Sequence, residues 1–537
     1  MSVKQTIARN TAFNGLGRIW EAVIGLVLVA YIVSVIGIEH YGLWGVVAAF
    51  TGYVALFDVG FGSGYAKYVA EYAAKGQREK ISEVVTTGLI FYVGFGALFI
   101  GILWPLSGLL IDVLEHFYAD GTGSWSNAEN QAEIRFLVHW SIVLFAVGNC
   151  VAPFTAVQSG LQRMGITNLL GVGMSFVKLG GTVYYLENGY GVRGLLYTQA
   201  WVLGVYFIAS ALTAFRLCPE LRIAPRHVSS AMMGRLFQFG WRTQVARLAN
   251  LIMFQTDVLV IAFLLNNLAL VGLYQIGVEL ANKMRQVPVI LFSALIPAVS
   301  DLEARDDHDR LRQLYLRSTK YAALITLPMV AFTAGTAALL IPTWQGFGED
   351  WHISIGALQW LLFGYIANIL AGSGVSVVLG MGRPEVQMKS GLISLTVNIA
   401  LTVLLVKTIG FWGIPIATVI SMYISWGWFL HAMREIVEVS PAQVWRDALR
   451  GAVVATLPVA LLAFIGSRLL ITNTLIDTRL SGLIALAFML ILCVASYLWA
   501  IRRRAIFGTA DLDFMDTTLK LKHLPGYRLW SRSLRDE

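Results

Sequence analysis

The sequence predicts an all-α polytopic membrane protein of about fourteen transmembrane helices, and three observations predict it. Hydrophobic residues make up 57% of the chain and charged residues 13%, against roughly 25% charged in soluble globular domains, and the mean hydropathy is +0.67. Apolar stretches long enough to cross ~30 Å of hydrocarbon, about 20 residues each, recur fourteen times. They are continuous and dominated by Leu, Val, Ile, Ala and Gly, whereas a β-barrel would show roughly 10-residue segments of alternating polarity.

The first span, 13–36, is too long for a signal-peptide core and has no small-residue cleavage site after it, so it is expected to be retained as a start-transfer helix. The second, 42–66, holds Asp58 and a glycine-rich face (Gly60, Gly62 and Gly64) suited to close helix packing. The third, 84–111, is followed by the longest external connection, 112–135, which is acidic and rich in small polar residues (Asp120-Gly121-Thr122-Gly123-Ser124) and reads as a flexible surface loop. Spans 136–160, 166–187 and 194–215 complete a first group of six. A second group of six comprises 240–264, 270–299, 320–342, 355–380, 386–406 and 411–432, and the last two spans are 450–471 and 480–501. Trp, Tyr or charged residues bound many of them, as expected at a membrane interface.

Basic residues assign the two sides. Segments on the side of the N-terminus hold 29 Lys and Arg, the opposite loops hold 5 (Arg135, Arg193, Lys407, Arg468 and Arg479), and 6 lie inside spans. Short cytoplasmic loops retain basic residues, so both termini are expected in the cytoplasm, in a bacterial inner membrane. This bias accounts for most of the +8 net charge, which is therefore no sign of nucleic-acid binding. The basic tail, with Arg502-Arg503-Arg504 and then 520–535, suits anionic lipid headgroups. Cys150, Cys218 and Cys493 fall in or at the end of apolar spans and indicate neither a disulfide framework nor a metal cluster. No cofactor is expected.

The chain also repeats. Tyr41-Gly42-Leu43-Trp44 opens span 2 and Val271-Gly272-Leu273-Tyr274 opens span 8; Gly160-Leu161-Gln162-Arg163 closes span 4 and Gly380-Met381-Gly382-Arg383 closes span 10; Gly191 and Gly410 precede spans 6 and 12. The offsets are 230, 220 and 219. Six spans per copy make the repeats parallel. The expected organisation is an N-lobe over 1–220, a C-lobe over 235–435, appended helices over 446–501 and a cytoplasmic basic tail over 502–537.

These motifs, together with Leu56-Phe57-Asp58-Val59-Gly60-Phe61-Gly62, the following Tyr68-Val69-Ala70-Glu71-Tyr72 and Ala294-Leu295-Ile296-Pro297, resemble the Wzx-like polysaccharide or O-antigen flippases of the MOP superfamily over residues 8–435. The resemblance implies two lobes around a central cavity, alternating access, and an undecaprenyl-diphosphate-linked oligosaccharide as substrate. It also implies a monomer in contact with membrane lipids and with a glycan polymerase or other envelope-assembly proteins. It transfers no fixed set of arginines, so site residues rest on the charges themselves.

Ionisable side chains in hydrocarbon cost roughly 2.5–3.5 kcal/mol each on insertion scales and usually face a cavity or a partner. Here they are Arg18, Glu21, Asp58, Lys178, Arg242, Arg247, Asp257, Glu279, Lys283 and Arg285. Arg18 with Glu21 and Glu279 with Lys283 have spacings that allow ion pairs on one helix face, and Arg242 suits snorkelling. Arg18, Arg247, Lys178, Arg285 and Lys283 are the candidate cations for a diphosphate; Asp58, Asp257, Glu21 and Glu279 are the candidate ion-coupling groups. The acidic residues leave open a MATE-type organic-cation antiporter, which the excess of cations disfavours. A glycan polymerase or ligase would need a sizeable external loop and an acid-base constellation, and the sequence offers neither; His139 stands alone. The expectation is a transporter rather than an enzyme.

Overall fold

The computed structural model describes residues 3–54, 61–118, 128–292, 295–472, 476–504, 506, 507 and 511. Among them every regular element is helical. The chain runs through α1 (Val3–Val54), α2 (Phe61–Ala74), α3 (Glu79–Tyr118), α4 (Ala128–Asn149), α5 (Ala152–Gly160), α6 (Met164–Glu187), α7 (Gly191–Leu217), α8 (Ser230–Leu264) and α9 (Leu268–Phe292). It continues through α10 (Leu295–Ala304), α11 (His308–Gly335), α12 (Ala337–Gln345), α13 (His352–Gly380), α14 (Pro384–Ile409), α15 (Gly413–Val437), a short α16 (Pro441–Gln443), α17 (Arg450–Thr472) and α18 (Arg479–Arg503).

Nine stretches among the described residues are long and apolar enough to cross a membrane, and α11 with α12, bent by 69°, forms a tenth. Two of these, Trp20–Gly52 and Pro384–Val437, each run through two of the sequence spans. The remaining two sequence spans fall on α8 and α9, of 35 and 25 residues, which also carry most of the in-membrane charges. With them the described helices accommodate about fourteen crossings, and the protein is a multi-pass helical membrane protein. Gly37 sits inside α1 with φ 78° and ψ 169°. That conformation is open to glycine at little cost, and it breaks α1 into two helices that meet at a kink, one for each of the first two spans.

The chain forms two compact units, Met1–Ile276 and Gly277–Glu537. In the first, α1 packs on α4, α6 and α8, and α2 packs on α3, α5 and α8. Its core joins Tyr65, Val69 and Tyr72 of α2 to Val84, Val85 and Tyr92 of α3, Phe154 and Val157 of α5, and Met232 and Leu236 of α8. In the second unit α13 is central, and it packs on α10, α11, α12, α14 and α15. Ala357, Leu358, Leu361, Leu362, Tyr365 and Ala367 are all buried along it. Hydroxyls tie its neighbours to it: Thr319 and Ser373 lie 2.7 Å apart, and Ser376 donates to the Phe292 carbonyl at 3.1 Å. The bend between α11 and α12 frees carbonyls that hydrocarbon could not satisfy. Gln359 donates to Ala334 O at 3.0 Å and Ser467 of α17 donates to Gly335 O at 2.8 Å.

The sequence repeat is visible as repeated local geometry. At the end of α5, a Cβ on Gly160 would stand 2.7 Å from Val69 Cβ and 2.9 Å from the Ala66 carbonyl; at the end of α13, one on Gly380 would stand 2.6 Å from Val299 Cβ and 2.9 Å from the Ile296 carbonyl. Both helices then close on a left-handed residue, Gln162 at φ 56° and Gly382 at φ 72°. The following arginines donate their backbone N–H back into the helix, Arg163 to Gln158 O at 2.8 Å and Arg383 to Val378 O at 2.7 Å. The ends of α2 and α10 match as well. Glu71 pairs with Lys75 and Asp301 with Arg305, each four residues on, and each helix stops at a left-handed residue, Gly76 or Asp306. In the first unit the two motif glycines meet. A Cβ on Gly42 would fall onto the Leu268 carbonyl, and one on Gly272 onto the Ile38 carbonyl. Residues 38 and 268 are related by the same offset of 230 as 42 and 272, so this crossing of α1 and α9 is a local pseudo-twofold contact.

Candidate functional site

Trp20 fixes the register of α1 on α6. Its indole N–H donates to Ser175 Oγ at 2.8 Å and its ring lies 5.2 Å from that of Phe176. Glu21, the next residue, is exposed, and its Oε1 would lie 3.1 Å from a Cβ on Gly171, so its carboxylate reaches α6 beside that glycine. Lys178, three residues after Ser175, is also exposed. Glu21 and Lys178 thus stand on neighbouring helices. Asp58 and the side chains of Arg18, Arg242 and Arg247 lie outside the described residues.

Asp257 of α8 is buried, at 4% exposure. Tyr274, itself buried, donates its hydroxyl to Asp257 Oδ2 at 2.7 Å. The close approach at Gly272 sets this contact, because it carries the first turns of α9 into the first unit two residues before Tyr274. A phenolic donor supports a carboxylate in surroundings that would otherwise disfavour its charge.

In the second unit Glu279 and Lys283 form the ion pair their spacing allows, at 3.1 Å, with side-chain exposures of 31% and 22%. Arg285, two residues on, takes another side of α9. Its guanidinium lies 5.4 Å from the centroid of the Tyr365 ring of α13. Tyr365 donates its hydroxyl to Asn282 Oδ1 at 3.0 Å. The structure therefore joins Glu279 to Lys283 and gives Arg285 an aromatic support.

Three partners had no signal in the sequence: Tyr274, Tyr365, and the pair formed by Lys320 and Asp511. Asp511, past the end of α18, accepts from Lys320 Nζ at 2.7 Å and from the Tyr321 hydroxyl at 2.6 Å, while Ile506 and Phe507 pack on Ala455, Ala500 and Ile501. This ties the root of the tail to α11. In the first unit, Asp112 and Arg135 pair at 2.7 Å across the base of the 112–135 connection. His139 stacks on Trp104 there with ring centroids 4.4 Å apart.

Comparison with known proteins gives the geometry a context. Residues 146–355 match the model of a family described as polysaccharide biosynthesis protein. A Shigella flexneri protein named as an O-antigen transporter is 22% identical over 429 residues, 77% of this chain and 94% of its own length. A Haloferax volcanii protein named as the flippase AglR is 21% identical over 81% of this chain and 85% of its own length. Among solved structures, the lipid II flippase MurJ in an inward closed conformation superposes with a TM-score of 0.60 over 92% of this chain and 99% of its own, at 15% identity. An inward-facing multidrug-resistance MATE transporter of the MOP superfamily gives 0.60 over 78% and 94%, at 18% identity. The chain is thus similar to polysaccharide biosynthesis proteins over 146–355 and to O-antigen transporter and flippase proteins over most of its length, and it shares its fold with the flippase and MATE structures.

Proposed function

We propose that the chain carries an undecaprenyl-diphosphate-linked oligosaccharide from the cytoplasmic to the outer leaflet by alternating access. The observation that carries this reading is the charge content of α8 and α9, the two spans richest in ionisable residues. Within the hydrocarbon stretch they hold the cations Arg242, Arg247, Lys283 and Arg285 against the carboxylates Asp257 and Glu279. A diphosphate is a dianion, and charge-assisted donors are what it requires away from bulk water. The flippase and O-antigen transporter relatives support the same substrate class.

Arg18, Arg247, Lys178 and Arg285 are the binding cations in this reading, with Lys283 balanced by Glu279. Asp257, held by Tyr274, is the best supported ion-coupling group, with Asp58, Glu21 and Glu279 as the other candidates. The protein works as a monomer in the bacterial inner membrane with both termini cytoplasmic, alongside glycan polymerase or other envelope-assembly proteins. It performs no covalent chemistry.

A deletion strain tests the reading. Lipid-linked glycan should accumulate on the cytoplasmic leaflet while its synthesis continues; absence of the completed lipid-linked unit would instead mark a synthetic enzyme. The MATE neighbours and the buried Asp257 favour organic-cation export as the second reading. Drug efflux that depends on the protein, with normal glycan export in the deletion strain, would establish it.

A further inference from the structure

Tyr365 is far from every charged motif in the sequence, yet it meets α9 twice. Its hydroxyl donates to Asn282 and its ring carries the Arg285 guanidinium, three residues further along the same helix. The phenol is 2% exposed, so the ring has no freedom to swing away. What brings the two helices this close is Gly277: a Cβ there would stand 2.8 Å from the Ser354 carbonyl and 2.9 Å from the Leu358 nitrogen. Backbone contact at Gly277 and Ser354 thus sets the spacing between α9 and α13, and Tyr365, three turns along α13, fills it beneath Arg285.

From this geometry we infer that Tyr365 is a positioning residue for the substrate diphosphate: through its hydrogen bond to Asn282 it holds its ring fixed, and the ring holds the Arg285 guanidinium in one orientation. The inference rests on the proposed role of Arg285 in binding the diphosphate. An unsupported arginine loses rotamer freedom each time it binds an anion, and that cost weakens binding. A guanidinium already held over an aromatic face has met part of it. Its planar fork can then engage two phosphate oxygens at once, which a rotating point charge cannot do. The Asn282 hydrogen bond and the aromatic support therefore act in series on one cation.

Binding of undecaprenyl diphosphate to the full-length protein in lipid nanodiscs tests this. Tyr365→Leu removes the support and should weaken binding roughly threefold to thirtyfold, the range a cation–π contact spans. Tyr365→Phe and Asn282→Ala remove opposite ends of one hydrogen bond. They should each give the same smaller loss, with no further loss when combined. In an Arg285→Ala background none of the three should have any effect. Equal losses in the presence and absence of Arg285 would overturn the inference, since they would mean general loosening of α9 and α13, and so would unchanged binding by Tyr365→Leu. Wild-type binding by Arg285→Ala alone would overturn the proposed role of Arg285 itself. Should Tyr365→Leu fail to reach the membrane, Tyr365→Phe and Asn282→Ala decide the matter in the same two backgrounds.

Discussion

The crossing of α1 and α9 makes a quantitative prediction, because one geometric fact is written there twice. Alanine at Gly42 would place a methyl on the Leu268 carbonyl and 2.8 Å from the Gly272 nitrogen; alanine at Gly272 would place one on the Ile38 carbonyl. Overpacking against side chains costs about 1–3 kcal/mol, and the obstacle here is helical backbone, which cannot rotate aside. Each single variant should therefore lose about 3 kcal/mol. Both methyls push the same two helices apart, so the first substitution makes room for the second. The double variant should cost little more than one single, a coupling of up to about 3 kcal/mol. Gly204→Ala in α7, where a Cβ meets nothing within 4 Å, is the control and should be neutral or stabilising by up to about 1 kcal/mol. Reversible unfolding in mixed detergent micelles, followed by tryptophan fluorescence, measures all four. Singles within about 0.5 kcal/mol of the parent, or a double equal to the sum of two large losses, would refute the close pseudo-twofold contact.

The repeat puts Arg18 and Arg247 24 and 25 residues before Gly42 and Gly272, and a shared bidentate grip on one diphosphate predicts that Arg18→Lys and Arg247→Lys reach normal membrane levels yet export less glycan, with Ala worse at both positions. Full export by the double Lys variant would move the binding role to Lys178 and Arg285. Asp511→Ala removes the carboxylate that Lys320 and Tyr321 share. Breaking a buried pair costs about 3–5 kcal/mol, reduced to about 2 because Lys320 keeps 17% exposure. Trypsin should then cut sooner after Arg503 and Arg504, and an unchanged cleavage rate would mean the latch contributes nothing. Ser124→Cys should react with an impermeant thiol reagent from outside intact spheroplasts; reaction only after permeabilisation would invert the proposed topology.

Features that lie close together along the chain were legible, and those that join distant segments were not. Apolar runs announce spans because hydrocarbon thickness imposes a length. Glu279 and Lys283 announce a pair because four residues bring a helix back to the same face. The motif glycines announced the repeat, but not that Gly42 and Gly272 touch, since a close approach leaves only a missing side chain as its trace. Tyr365 is 83 residues from Asn282, and nothing in its neighbourhood distinguishes it from the other tyrosines of the bundle. Asp511 is 191 residues from Lys320, one of three aspartates in 505–519, and only the return of the chain to α11 gives it a partner. The charges of α8 and α9 were legible as unusual for hydrocarbon. The groups that hold them, Tyr274 and Tyr365, needed coordinates.

The two copies of the repeat also differ where they should be most alike, and the difference is usable. At the close of α5 and α13 the left-handed position holds glutamine in one copy and glycine in the other; at the close of α2 and α10 it holds glycine and then aspartate. A left-handed backbone costs a non-glycine residue roughly 1–2 kcal/mol, so each half of the chain carries a strained stop that the other half has relieved. The protein is in this sense its own design template. Gln162→Gly and Asp306→Gly, each copied from the sister repeat at a position already known to fit, are the first substitutions to make when a more robust protein is wanted for purification.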